Sequence, residues 1–97
     1  MTPIRICAAA ETDYVEALSR YAERSIDAAV GFEADFEAAL ARIADGPDRF
    51  PPADDRHRYC SLRRYPFRIL FRRETSGEIT VISVAHAARR PDFWRGR

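Results

Sequence analysis

The stretch Phe67-Arg68-Ile69-Leu70-Phe71-Arg72 decides how this chain folds, because apolar and charged side chains alternate along most of it. Successive side chains of a strand point to opposite faces of a sheet. The odd-numbered residues, all apolar, therefore share one face and require a hydrophobic core. Arg68 and Arg72 project from the other face, with Leu70 between them. A small domain that places arginine on its sheet surface is predicted to meet an anionic partner there.

Two helices and three further strands are predicted around this stretch. Apolar residues recur at helical spacing over Ala9–Glu23, and again after Ser25, an N-cap residue, until Gly46 and Pro47 end the helix. Gly31, inside the second helix, either permits a close approach to the first helix or marks a break. The strands are expected over Pro3–Cys7, Tyr59–Arg64, Phe67–Glu74 and Ile79–Ala85.

This order of elements predicts an α+β fold. A short connection joins the two amphipathic helices, which indicates an antiparallel helical hairpin. The hairpin would cover one face of a mostly antiparallel four-stranded sheet in the order β-α-α-β-β-β. The last strand is apolar on both sides, so we expect it to be central and covered.

Length and composition indicate one small cytoplasmic domain. The 97 residues, 46% of them hydrophobic, suffice for a single domain over residues 1–97. No apolar run approaches the roughly 20 residues that cross a bilayer. The N-terminus does not have the pattern of a signal peptide. We therefore expect no membrane association.

Charge is divided unevenly between the two halves of the chain. Residues 1–48 contain four arginines against ten acidic residues, whereas residues 49–97 contain twelve arginines against five. Such asymmetry is typical of a protein with an anionic partner. All 16 basic residues are arginine, which either reflects a GC-rich genome or suits phosphate and carboxylate partners. Lysine chemistry is excluded in both cases.

Metal and cofactor sites are not predicted. Cys7 and Cys60 lie on separate predicted strands and are expected to be reduced, and the two histidines add no paired ligand spacing. Neither a glycine-rich phosphate loop nor a nucleophile motif is present. The carboxylates of the first helix are interpreted as a solvated face: Asp13, Glu16 and Glu23.

The C-terminal half carries a recognisable pattern. It consists of Leu62–Phe71, the strand Ile79–Val84, and an ending that reads V-A-H-x-x-R-x-P-x-x-W from Val84 to Trp94. This pattern resembles the RelE/ParE toxin superfamily, and most of all its ParE-like, plasmid-stabilisation branch. The spacing of apolar residues over Phe36–Ile43 also fits, so the resemblance spans nearly the whole chain.

The resemblance implies the toxin of a type II toxin-antitoxin system. The partner would be a cognate antitoxin whose acidic, partly disordered C-terminal segment wraps the toxin as a hetero-oligomer. ParE-like members poison DNA gyrase and are not nucleases, and we take this as the leading hypothesis. RelE-like members cut messenger RNA on the ribosome, which is the alternative. A third hypothesis is a non-toxic relative that retains antitoxin binding. Enzymatic activity is left open.

The resemblance also suggests roles for particular residues. Arg68 stands where RelE-like nucleases contact the scissile phosphate, and His86 is the candidate acid or base, or else a structural residue bonded to the tail. Tyr59 and Tyr65 are the remaining candidates for proton transfer. Trp94 either packs the tail onto the domain or anchors the antitoxin. The residues predicted to bind the target or antitoxin are Arg63, Arg64, Arg68, Arg72, Arg89, Arg90 and Trp94.

Overall fold

The computed structural model describes residues 2–89 and 93–97, so the predicted binding residue Arg90 lies outside the described residues. The order of elements agrees with the prediction, and most boundaries differ by one or two residues. The elements are β1 (Ile4–Ile6), α1 (Ala8–Arg24), α2 (Ile26–Asp45), a 3-10 turn (Pro47–Arg49), β2 (Arg58–Ser61), β3 (Phe67–Arg73) and β4 (Ile79–His86).

The helical hairpin forms for the reasons that the sequence indicated. Ser25 ends α1 and caps α2, because its hydroxyl accepts a hydrogen bond from the Ala28 N–H at 2.9 Å. The apolar stripes of the two helices face the sheet, and their buried residues are Ala10, Ala17, Phe32, Phe36, Ala39 and Ile43. Neither helix, within the described part of the chain, is long and apolar enough to cross a bilayer.

The sheet is mixed, with strand order β1-β4-β3-β2. β1 runs parallel to β4, while the β2–β3 and β3–β4 pairs are antiparallel. The prediction of a mostly antiparallel sheet is therefore confirmed, with one parallel pair at the edge. β4 is central and buried from Ile79 to Ala85, as its apolar composition predicted.

A β-bulge interrupts the pairing of β3 with β4. Leu70 pairs with Ser83 but Phe71 pairs with Val81, so Ile82 is the extra residue of β4. Directly after the bulge, the Ser83 hydroxyl and the Val84 N–H donate to the same carboxylate oxygen of Asp13 on α1. Asp13 is buried, at 9% exposure, so its predicted place on a solvated helix face is wrong.

Both faces of the sheet carry apolar clusters. Phe67, Ile69 and Phe71 of β3 pack beneath the helices, as the strand alternation predicted. On the opposite face, a smaller cluster joins Leu70 to Ile82, Ala85 and Trp94. This second face is therefore covered in part by the chain's own C-terminal tail.

Candidate functional site

A cleft of about 400 Å³ opens on the sheet face that points away from the helices. It lies where β3 begins and β4 ends, because the antiparallel register sets Arg68 opposite Ala85. Four of the predicted site residues line it: Arg68, His86, Arg89 and Trp94. Tyr59 and Arg95 complete its polar lining, and no carboxylate is among the described residues that line it.

Arg68 contributes one of the positive charges of the cleft. It is exposed, and its guanidinium carbon lies 4.6 Å from the centre of the Tyr59 ring on the neighbouring strand β2. A guanidinium over an aromatic face gains a cation–π attraction of about 0.5–1 kcal/mol at an exposed site. The contact orients the charge without neutralising it, so Arg68 remains able to bind an anion.

His86 stands at the last position of β4, at the rim of the cleft. Its Nδ1 accepts a hydrogen bond from the Ala88 N–H at 3.0 Å, and its ring meets the Phe67 ring edge-on at 5.0 Å. These contacts hold an exposed imidazole in one orientation. The expected position at a strand end and the hydrogen bond to the following segment are observed, and the role of His86 stays a prediction.

Trp94 forms the apolar wall of the cleft. It is 4% exposed and packs on Leu70, Ile82 and Ala85, with the His57 ring edge-on at 5.1 Å. The prediction that Trp94 packs the tail onto the domain is confirmed. Two further cation–π pairs occur in this region, Arg89 over Phe93 at 3.9 Å and Arg95 over Trp94 at 5.6 Å.

Arg72 lies away from the cleft, although it shares a sheet face with Arg68. Its Nε donates to Glu74 at 3.1 Å, and it lines a second, smaller cleft of about 290 Å³. Neighbouring Arg73 is similarly paired with Asp48 at 3.0 Å. Arg72 therefore shares the open sheet face with Arg68, as predicted, but does not line the same cleft, and its role in binding stays a prediction.

Arg63 and Arg64 belong to the turn between β2 and β3, and they are not among the residues that line either cleft. Their backbone N–H groups, with that of Tyr65, donate to the Asp35 carboxylate at 3.2, 2.8 and 3.0 Å. Burial raises the pKa of Asp35, but these three donors together with the Arg42 charge more than reverse it, so the pKa lies below its ordinary value. The exposed side chains of Arg63 and Arg64 are thus carried on a rigid turn beside α2.

The two tyrosines that could replace a catalytic acid or base are separated. Tyr65 packs on the helix side against Tyr21 and Phe32, and its hydroxyl donates to the Ala28 carbonyl at 2.8 Å. Tyr59 lines the cleft beneath Arg68. Only Tyr59 is therefore placed with Arg68 and His86.

The sequence prediction missed one charged residue of the cleft, Arg95. Arg95 follows the buried Trp94 directly, and a residue next to a buried side chain in a surface tail is a simple signal that could have found it. Within residues 2–89 and 93–97, no group of three His, Cys, Asp or Glu side chains could hold a metal ion. Both cysteines are free.

Comparison with known proteins places this arrangement in a class. No curated protein matches the chain in sequence. A chain of the solved chromosomal ParDE TA system from P. aeruginosa superposes with a TM-score of 0.76 and 17% identity, over 89% of this chain and 96% of that chain. The two chains therefore share one fold, in which two helices pack on a four-stranded mixed sheet.

The sequence itself identifies the family. Residues 4–91 match the model described as the ParE toxin of type II toxin-antitoxin system, parDE. The match includes β1, both helices and all of the remaining strands. The chain belongs to the ParE toxin family.

Proposed function

We propose that this protein is a toxin that acts by binding a macromolecular target such as DNA gyrase, and that a cognate antitoxin neutralises it. The observation that supports this proposal is the cleft, in which Arg68, Arg89 and Arg95 lie together without a carboxylate among the described lining residues. Three guanidinium groups beside an apolar wall suit an anionic surface that also offers apolar contacts.

The chemistry of the cleft favours binding over catalysis. His86 is the only histidine of the described lining, and it is exposed with its Nδ1 already engaged by a backbone N–H. The tail contributes Phe93 and Trp94, which cannot transfer a proton. Tyr59 carries the Arg68 guanidinium on its ring, which would help an anion to bind there.

Neutralisation would use the same charge complementarity. The solved structure that shares the fold is a ParDE TA system. For this chain we propose, as in the sequence analysis, an antitoxin with an acidic C-terminal segment. Acidic side chains of that segment would form ion pairs with the arginines of the cleft. Its apolar side chains would pack against Trp94. The resulting hetero-oligomer would block access of the target.

Induction in bacteria and a gyrase supercoiling assay test this proposal. Wild-type protein should arrest growth and inhibit supercoiling, and co-expression of the neighbouring antitoxin should restore growth. Arg68→Ala should abolish both effects because it removes the oriented cleft charge. Arg73→Ala, on the same strand but paired with Asp48 outside the cleft, is the matched control and should remain toxic. Full supercoiling in the presence of a growth-arresting wild type would reject gyrase as the target.

The alternative, a ribosome-dependent endoribonuclease, is supported by one observation. Arg68 and His86 line the same cleft, so a phosphate-binding residue and a proton donor or acceptor are available together. Under this alternative, induced cells would show cleavage of translated messenger RNA, and both Arg68→Ala and His86→Ala would abolish it. Under the binding proposal messenger RNA stays uncut and His86→Ala remains toxic. Binding of the antitoxin without growth arrest would indicate a non-toxic relative.

A further inference from the structure

The Asp13 carboxylate joins α1 to β4 and to the C-terminal tail. Its Oδ2 accepts hydrogen bonds from the Val84 N–H at 3.1 Å and from the Ser83 hydroxyl at 3.3 Å. The same oxygen accepts from Arg97 Nη1 at 2.6 Å, and Oδ1 accepts from Nη2 at 3.4 Å. The Asp13 side chain is only 7% exposed. A forked guanidinium on a buried carboxylate is a strong and directional contact, so it fixes where Arg97 lies.

Further hydrogen bonds of Arg97 hold the C-terminal tail against the sheet. Its Nη1 also donates to the Ile82 carbonyl at 3.2 Å, at the bulge of β4. Its backbone N–H donates to the Trp94 carbonyl at 3.2 Å, which closes the last turn of the described chain. Its own carbonyl accepts from Arg72 Nη1 at 3.5 Å. One residue thus ties the segment 94–97 to the sheet by both its side chain and its backbone.

The segment that Arg97 holds forms part of the cleft. Trp94 and Arg95 both line it, and Trp94 covers the apolar surface of Leu70 and Ile82. If the tail left the sheet, the cleft would lose its apolar wall and one of its arginines. The structure of the cleft therefore depends on contacts made at a distance from it.

We infer that Asp13 is a positioning residue for the cleft. It is not among the residues that line the cleft, but through Arg97 it holds the tail that supplies Trp94 and Arg95. This inference deepens the proposed function and rests on it for the consequence in cells. Loss of the Asp13–Arg97 contact should release the tail and remove toxicity while Arg68 and His86 stay in place.

The chain provides its own reporter of tail position, because Trp94 is its single tryptophan. Asp13→Asn and Arg97→Gln should each shift the emission maximum to longer wavelength and increase quenching by acrylamide. Both variants should lose growth arrest in cells. Glu16→Gln, which removes one exposed carboxylate from the same helix, is the matched control and should behave as wild type in both measurements.

Two further variants separate the contact from general damage to the fold. Arg97→Lys keeps the charge but not the fork, so it should retain part of the Trp94 protection. The double variant Asp13→Asn, Arg97→Gln should be no more exposed at Trp94 than either single variant, because the two residues act through one contact. If circular dichroism shows that Asp13→Asn does not fold, the result for Arg97→Gln tests the inference, because that variant leaves the contacts of Asp13 with β4 intact.

Each outcome has a distinct meaning. If Trp94 is as well protected from acrylamide in Arg97→Gln as in wild type, the inference is overturned, because the tail then stays in place without the contact to Asp13. If Asp13→Asn or Arg97→Gln exposes Trp94 but still arrests growth fully, the positioning role is overturned. A wild-type protein that does not arrest growth would contradict the proposed function instead, and the fluorescence would still decide whether the Asp13–Arg97 contact holds the tail.

Discussion

Gly31 of α2 and Tyr65 of the β2–β3 turn are in direct contact, and the contact requires glycine. A Cβ at position 31 would overlap the Tyr65 hydroxyl oxygen and lie 3.3 Å from Cζ of the ring. The hydroxyl is fixed there because it donates to the Ala28 carbonyl at 2.8 Å. Of the two sequence interpretations of Gly31, close approach is the relevant one, but the approaching group is a tyrosine and not the first helix.

We predict that Gly31→Ala destabilises the protein. Helix propensity alone would favour alanine by roughly 0.5–1 kcal/mol. Overpacking against the fixed Tyr65 hydroxyl should cost more, about 1–3 kcal/mol, and leave a net loss. Urea unfolding of the variant measures the difference directly.

Tyr65→Phe supplies the control, because it removes the overlapping hydroxyl. When Gly31→Ala is introduced together with Tyr65→Phe, its effect relative to Tyr65→Phe alone should be neutral or stabilising. An equal loss of stability with and without the hydroxyl would show that the clash is not the cause.

Asp35 should contribute to the acid sensitivity of the fold. Its pKa is below the ordinary 3.8 in the folded state, so the ionised carboxylate is the form that stabilises the native structure. That contribution is complete above pH 3.8 and is lost as the pH falls below this value through the folded-state pKa. Unfolding midpoints measured over this range should fall less steeply for Asp35→Asn than for wild type.

Asp35→Asn should also be less stable at neutral pH, by about 1–3 kcal/mol, because an amide offers poorer acceptors to three backbone donors. Glu33→Gln, at an exposed position of the same helix, should change neither stability nor its pH dependence. Some acid sensitivity should remain in Asp35→Asn, since the pKa values of Asp54 and Glu74 are lowered as well. An unchanged acid profile in Asp35→Asn would contradict the assignment.

Cys60 should be the less reactive of the two thiols. Burial raises its pKa, and the Arg42 guanidinium, which donates to its Sγ at 3.4 Å, offsets this only in part. The thiolate is the reactive species, and Cys60 is 2% exposed. Disulfide-reagent kinetics on the single-thiol variants Cys7→Ala and Cys60→Ala should show faster modification of the remaining Cys7. Equal rates would mean that β2 opens more readily than its burial implies.

The fold could be predicted because its determinants are local. Strand alternation sets the two faces of β3, and the Ser25 cap separates the helices, so each follows from neighbouring residues. The burial of Asp13 could not be predicted in this way. Its partners Ser83, Val84 and Arg97 lie 70 or more positions away in sequence, and two of them directly follow the bulge of β4. A carboxylate in an early helical turn otherwise indicates a solvated position.

Part of the cleft could be predicted, because strand pairing also follows from the local apolar pattern. Arg68 and His86 lie at neighbouring ends of two paired strands, and strand pairing follows from the apolar pattern. The pairing of Arg72 depends on Glu74, whose carboxylate accepts a hydrogen bond from the Thr80 hydroxyl across the β3–β4 hairpin. That ion pair requires the detailed hairpin geometry, which residue types alone do not determine.

Arg68→Ala and Arg72→Ala should have similar, small effects on stability but different effects on toxicity. Arg72→Ala removes a half-buried ion pair with Glu74 and a contact with the tail, so it should cost about 1 kcal/mol in unfolding free energy. Arg68→Ala removes an exposed side chain whose stacking on Tyr59 is worth about 0.5–1 kcal/mol, so its effect on stability should be no larger.

Toxicity distinguishes the two variants. Arg68→Ala should abolish growth arrest at matched expression, because the cleft loses its oriented charge, whereas Arg72→Ala should remain toxic at temperatures well below its unfolding midpoint. Growth curves and thermal unfolding of both proteins measure the contrast. Equal loss of toxicity in both would contradict this prediction, because Arg72 would then act either through its own charge or through the tail that it contacts.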